Sequence, residues 1–213
     1  MLEKIKTPSD VKNLTIPELE ELSADIRTKI IETVNANGGH LSSNLGAVDL
    51  TVALYHVFDF PTDKLIFDVG HQCYAHKILS GRGEQISRIR QSDGASGFPS
   101  VAESVYDAFG SGHAGNSVSA CLGYCAARDA KKQNYAVVDV VGDASLFNGE
   151  NLEALTYSDR KPDKMIIILN DNGMSISRNN NGMYKFFSKM RTRKTYGKFM
   201  SFVNKTIGGS FIG

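Results

Sequence analysis

No long apolar run occurs in the sequence. The longest aliphatic stretch is Met165-Ile166-Ile167-Ile168-Leu169, and a helix that crosses a bilayer needs about 20 apolar residues, so no membrane-spanning helix is predicted. The first residues, Met1-Leu2-Glu3-Lys4-Ile5-Lys6, lack the apolar centre of a secretory signal, so none is expected. Cysteine is scarce. Cys73, Cys121 and Cys125 form no CxxC pair, and Cys121 and Cys125 stand four apart in a helical pattern. That spacing predicts burial rather than a disulfide or a metal site, and fits a reducing, cytoplasmic setting. There is neither an internal repeat nor a low-complexity block. A hydrophobic content of 41% with 22% charged residues excludes global disorder. At roughly 150 residues per domain, 213 residues allow one large domain, or one domain with an extension.

Net charge is also small, at +1, but it is unevenly spread. Residues 172–213 carry eight basic residues, Arg178, Lys185, Lys189, Arg191, Arg193, Lys194, Lys198 and Lys205, and no Asp or Glu. The first 171 residues therefore hold sixteen basic against 23 acidic residues, a net of −7. An acidic body at 1–183 and a basic, aromatic connector at 184–213 are expected to have different roles. Phe186, Phe187, Tyr196, Phe199 and Phe202 interleave with the lysines of the connector. Such a pattern occurs in nucleic-acid stacking platforms. An amphipathic connector with its aromatics packed on another domain is the favoured reading, and no nucleic-acid partner is expected.

Along the chain, helices are predicted over 16–36, 47–57, 116–131 and 152–157. Thr15 and Glu18 form a capping box for the first, and Gly38-Gly39 ends it. Short apolar strands are predicted at 65–69, 136–141 and 165–169. Strands alternating with helices imply a three-layer α/β domain with a mostly parallel sheet. In such sheets ligands bind at the carboxyl ends of the strands. The polar clusters fall there: His71 after the first strand, Gly142-Asp143 after the second, Asn170-Asp171-Asn172 after the third.

Val141-Gly142-Asp143-Ala144-Ser145 closes a strand and opens a helix. One βαβ unit thus offers a carboxylate and several amide oxygens on neighbouring strand ends. Hard oxygen donors suit Mg²⁺, which keeps phosphate oxygens in its shell, and free N–H groups at a helix start favour phosphate. Alone, Asp143 reads as an N-cap and Asn172 as a turn residue. Paired across the unit, they describe a metal–diphosphate site.

Gly142-Asp143 followed by Asn172 resembles the metal–diphosphate motif of thiamine-diphosphate enzymes. The segments 39–46 (GHLSSNLG), 67–72 (FDVGHQ), 76–79 (HKIL), Gly112-His113 and 170–177 (NDNGMSIS) are similar to the amino-terminal domain of the 1-deoxy-D-xylulose-5-phosphate synthase family. The resemblance runs from about residue 8 to about residue 200. It implies a thiamine-diphosphate-binding fold within the transketolase-like group. It further implies thiamine diphosphate and Mg²⁺ as cofactors, and pyruvate and glyceraldehyde 3-phosphate as substrates, condensed with loss of CO₂. The product is a precursor of isoprenoids, thiamine and pyridoxal. By the same resemblance Asp143, Asn172 and the main-chain carbonyl of Met174 bind the metal. His71, Gly112, His113, Ala114, Ala144, Ser145, Asn172 and Met174 lie against the cofactor, and His40 assists proton transfer. A homodimer is implied, together with a second domain that holds the pyrimidine ring. Without that domain the chain is expected to be inactive. A split-subunit enzyme half and a non-catalytic cofactor-binding homologue are the alternatives.

Several positions depart from the family pattern. Ala144 stands where the family has glycine, and its methyl threatens to crowd a diphosphate or exclude positive φ. Ala114-Gly115 replaces hydroxyl residues after the Gly-His pair, removing hydrogen bonds of about 1 kcal/mol each. After Phe98-Pro99 the arginine of the family pattern is replaced by Val101 or is absent. His56 is expected to pack within an apolar helix, and His76 to be structural or to sit near the site entrance.

Overall fold

The computed structural model describes residues 1–157, 162–171 and Gly182. The described chain from Met1 belongs to one compact unit that ends at Asn172. The expected connector at 184–213 lies outside the described residues.

Helix α1 spans Ile16–Asn37. The Glu18 carboxylate accepts the Thr15 N–H at 2.8 Å and the Thr15 hydroxyl at 2.7 Å, which completes the expected capping box. Gly38, at φ +73°, ends the helix. Leu19, Leu22, Ile26 and Ile30 recur every three or four residues and are buried, so one stripe of α1 faces the core. It packs on α3, Val48–Val57. Between them lies a five-residue helix that the sequence did not announce, α2 (Leu41–Leu45), with His40 at its N-cap.

The sheet has three parallel strands in the order β1-β2-β3, with β1 at Lys64–Phe67, β2 at Val137–Gly142 and β3 at Met165–Asn170. Side chains alternate across it. Leu65, Phe67, Val138 and Val140 join the core built with α1 and α3, whereas Ile66 and Val137 meet Cys121 and Cys125 on the other face. Those cysteines belong to α6, Ser117–Ala130. All three cysteines are buried free thiols. The chain is thus a three-layer α/β domain with a parallel sheet, as expected. Among the described residues no helix is long and apolar enough to cross a membrane.

From β1 the chain passes through α4 (Tyr74–Lys77), a π-turn (Ile78–Arg82) and α5 (Gly83–Ile86), then an irregular segment, before α6. From β2 it runs straight into α7, Asp143–Leu146, and then α8, Gly149–Tyr157. Strand β1 stops at Phe67, two residues short of the expected end. The reason is local: Val69 (φ +60°) and Gly70 (φ +82°) turn the backbone, and the Gly70 N–H donates to the Asp68 carbonyl at 2.6 Å. Phe67 pairs with Val140, and Gly142 with Asn170. All three strands therefore end on one edge of the sheet.

Candidate active site

His40 and His71 meet above this edge. Their rings are T-shaped, with centroids 5.4 Å apart, and Phe98 lies edge-on to His40 at 5.7 Å. Both histidines are half-buried. Asn44 holds them together: its Nδ2 donates to the His40 carbonyl at 2.6 Å and to the His71 carbonyl at 2.7 Å. Its Oδ1 accepts the Tyr74 N–H at 2.8 Å, and the Tyr74 hydroxyl accepts the His40 N–H at 3.3 Å. Backbone freedom is needed at two points. A Cβ on Gly39 (φ +138°) would stand 2.7 Å from the Tyr74 hydroxyl, and one on Gly70 would stand 2.3 Å from Pro99 Cδ and Ser111 Oγ. The loops are packed too closely for a larger residue at either position.

The Nδ1 atoms of His40 and His71 are buried and have no hydrogen-bond partner among the described residues. Buried polar groups are normally paired, so two orphaned imidazole nitrogens at one strand edge point to a ligand. Burial lowers the pKa of His40, with a further push from the Arg90 guanidinium. Burial also lowers that of His71, helped by His40 and opposed by Asp68. Both imidazoles are therefore neutral near pH 7.

Asp68, at the end of β1, ties three segments to this edge. Its carboxylate accepts the Gly115 N–H at 2.9 Å, the Ser117 N–H at 3.2 Å and the Asn151 side-chain amide at 3.0 Å. The same Asn151 amide nitrogen donates to the Ser145 carbonyl at 3.0 Å, and the Asn151 Oδ1 accepts the Val118 N–H at 3.1 Å. The 112–115 loop, the start of α6 and the turn that follows Asp143 are thereby fixed to β1 and to each other. Gly112 (φ +145°) has open space where a Cβ would project, so conformation rather than crowding favours glycine there. His113 and Ala114 are exposed.

Asp143 opens α7 and is buried, with 6% of its surface exposed. Ala144 follows on ordinary helical backbone and is exposed. The non-glycine residues at positive φ among those described are Val69, Arg90, Lys132 and Lys164, so the turn at Ala144 does not require a glycine conformation. Ser145 is half-buried. Asn172 and Met174 lie outside the described residues. What is placed is the strand end that leads to them: Asn170 pairs with Gly142, level with the start of α7. Among the described residues no group of histidine, cysteine and carboxylate side chains is close enough to hold a metal ion unaided.

His56 and His76 are structural. His56 Nδ1 lies 3.0 Å from the Val11 carbonyl. His76 is fully buried, 2.8 Å from the Tyr55 hydroxyl and 2.9 Å from Asp107, so a place at the site entrance is excluded. Asn44, Asp68 and Asn151 were not singled out by sequence reasoning. Asn44 and Asp68 lie inside two of the segments that carry the resemblance. Each holds backbone rather than ligand, a role that becomes visible only once the loops meet.

A family model described as 1-deoxy-D-xylulose-5-phosphate synthase matches residues 2–212. The 1-deoxy-D-xylulose-5-phosphate synthase of Clostridium botulinum (strain Eklund 17B / Type B) is 47% identical over 213 residues, which is 100% of this chain and 34% of that protein. That of Clostridium tetani is 50% identical over 198 residues, 93% of this chain and 32% of that protein. That of Macrococcus caseolyticus is 49% identical over 210 residues, 97% of this chain and 34% of that protein. Among solved structures, a transketolase from Campylobacter jejuni superposes with a TM-score of 0.70 at 25% identity, over 83% of this chain and 32% of that one. The chain spans about a third of the length of the curated relatives it matches.

Proposed function

The chain belongs to the 1-deoxy-D-xylulose-5-phosphate synthase family, and from that premise we propose that it is the diphosphate-holding part of a thiamine-diphosphate-dependent synthase. The substrates are pyruvate and glyceraldehyde 3-phosphate, joined with loss of CO₂. The observation that carries this reading is the pair of imidazole nitrogens on His40 and His71 that lack a partner among the described residues, with both histidine backbones clamped by Asn44 on the same sheet edge as buried Asp143.

The donor set suits the cofactor. Asp143 supplies a carboxylate, and Asn172 with the Met174 carbonyl supplies neutral oxygens, a set of hard donors that matches Mg²⁺. His71, the Gly112-His113-Ala114 segment and Ala144-Ser145 line the diphosphate side. When bound, thiamine diphosphate supplies the acidic thiazolium carbon that carries the carbon–carbon chemistry. His40 is kept neutral by burial and by Arg90, so it can accept a proton from a reacting hydroxyl and return it. Phe98 limits water at its ring. The exposed, helical setting of Ala144 favours retained binding over a non-catalytic relic. A second domain and a partner copy complete the site around the pyrimidine ring and the sugar phosphate.

The test is a melting curve with thiamine diphosphate and Mg²⁺. A ligand bound only by the folded state stabilises it, by about 2.7 kcal/mol at a concentration one hundred times Kd. The wild type is expected to show a cofactor-dependent rise in Tm, and Asp143→Ala to lose it. A wild type with no rise would overturn the reading.

A further inference from the structure

Away from the proposed ligand site, five ionisable side chains form a buried cluster. His76, Lys77 and Arg82 come from α4 and the π-turn, and Glu103 and Asp107 from the irregular segment before α6. Lys77 is 0% exposed, and the Asp107 side chain is 0% exposed. Arg82 grips Asp107 with both terminal nitrogens, at 2.8 and 2.7 Å, and reaches Glu103 at 2.7 Å. Lys77 Nζ donates to the same Glu103 oxygen. His76 stands between the Tyr55 hydroxyl and Asp107. Burial opposes ionisation of Asp107, but hydrogen bonds from His76 and Arg82 more than offset it and hold the carboxyl well below the ordinary range. Burial lowers the pKa of His76, so it sits in the cluster as a neutral ring.

Ion networks of this kind are poor sources of net stability, because desolvation cancels much of the attraction. What this one fixes is geometry. Glu103 Oε2 accepts the Ser96 N–H at 2.8 Å, and Asp107 Oδ2 accepts the Ser100 N–H at 2.8 Å. Those two amides bracket Phe98-Pro99. Phe98 is the ring against His40. Pro99 packs on Gly70, next to His71, and its carbonyl accepts the Ser111 N–H at 3.4 Å. Ser111 Oγ in turn donates to the Val69 carbonyl at 2.9 Å.

We propose that Asp107 and Glu103 are positioning residues, which set the place of Phe98-Pro99 and through it the orientation of His40 and His71. Both carboxylates act through the Ser96 and Ser100 backbone. The proposal deepens the functional reading above and rests on it for the purpose of the two histidines.

The experiment uses the 213-residue chain and two variants, Asp107→Asn and Glu103→Gln, with Phe98→Ala as a reference. Three quantities are read: Tm, the nuclear Overhauser contact between the Phe98 and His40 rings, and affinity for thiamine diphosphate with Mg²⁺. Both carboxylate variants are expected to lose the Phe98–His40 contact and to bind the cofactor about tenfold more weakly, as expected when a supporting shell is removed. Phe98→Ala should reproduce the change in affinity with the buried cluster intact. If Asp107→Asn does not fold, the part-exposed Glu103 makes Glu103→Gln the deciding variant. A lower Tm with an unchanged ring contact would reduce the cluster to a structural role and overturn the proposal. The ring contact is read without cofactor, so failure of the wild type to bind thiamine diphosphate would sink the functional reading separately.

Discussion

Asp139 is a carboxylic acid in the middle of a valine strand. It is 0% exposed, its Oδ2 accepts the Ser117 hydroxyl at 3.0 Å, and its Oδ1 has no partner among the described residues. Burial pushes its pKa up to about 7, the Ser117 hydrogen bond opposes the rise, and the neighbouring Asp68 adds to it. The sign of the consequence is fixed by linkage. An unfolded chain ionises this group near pH 4, whereas the folded chain keeps the proton until about 7. Between those values the native state binds more protons, so stability falls as pH rises, by on the order of 4 kcal/mol, and levels off above. Asp139→Asn should therefore match the wild type near pH 4 and melt higher at pH 8. Carboxylates with lowered pKa, such as Asp107, pull the other way, so the difference between the two proteins across a pH series is the measurement. A parallel pair of curves would refute the assignment. The sequence marks 136–141 as a strand but does not say which face Asp139 takes. That depends on its pairing with Ile66, and on Ser117 standing over it.

At the scale of elements, the start of α6 shows why a helix N-terminus alone is a poor guide to ligands. Its first two N–H groups are already used: Asp68 accepts from Ser117 and Asn151 from Val118, and Asp68 also takes the Gly115 N–H just before the helix. In the proposed function, diphosphate is left to the loop at 112–115 and to the turn at Gly142-Asp143. Asn151 joins α8 to Asp68, to the start of α6 and to the Ser145 carbonyl, and it is 0% exposed. Asn151→Ala removes three hydrogen bonds and leaves the Asp68 carboxylate and the Val118 N–H short of a partner. Each buried group so abandoned costs about 1–3 kcal/mol, so urea unfolding should show a loss of roughly 3 kcal/mol, with weakened cofactor binding. Unchanged values in both assays would mean that the three segments hold each other without it. The long elements were legible because capping, stripes and β-branched runs are local signals. The extra helix α2 and the π-turn were not, because both are held by distant partners: Asn44 by Tyr74 and His71, and Arg82 by Asp107 and Glu103.

For the whole molecule, strand–helix alternation was enough to foresee a parallel sheet, since crossovers of this kind demand one. Strand reading put His71 at this edge and resemblance gave His40 its role, but their meeting was not legible, since 31 residues separate them. Asp143 and His71, the proposed site residues that follow β2 and β1, stand at one edge of one sheet, so a cofactor laid along it offers its other side to groups that this edge does not supply. The chain matches only about a third of its curated relatives' length. The expected outcome is cofactor binding by residues 1–213 without turnover of pyruvate and glyceraldehyde 3-phosphate. Activity should appear when a polypeptide carrying the remaining two thirds of a relative is added, and Asp143→Ala should abolish it in the mixture. The assay is release of CO₂ from pyruvate, dependent on the aldehyde. Turnover by the 213-residue chain alone would show that one edge suffices and that the activating groups lie within it.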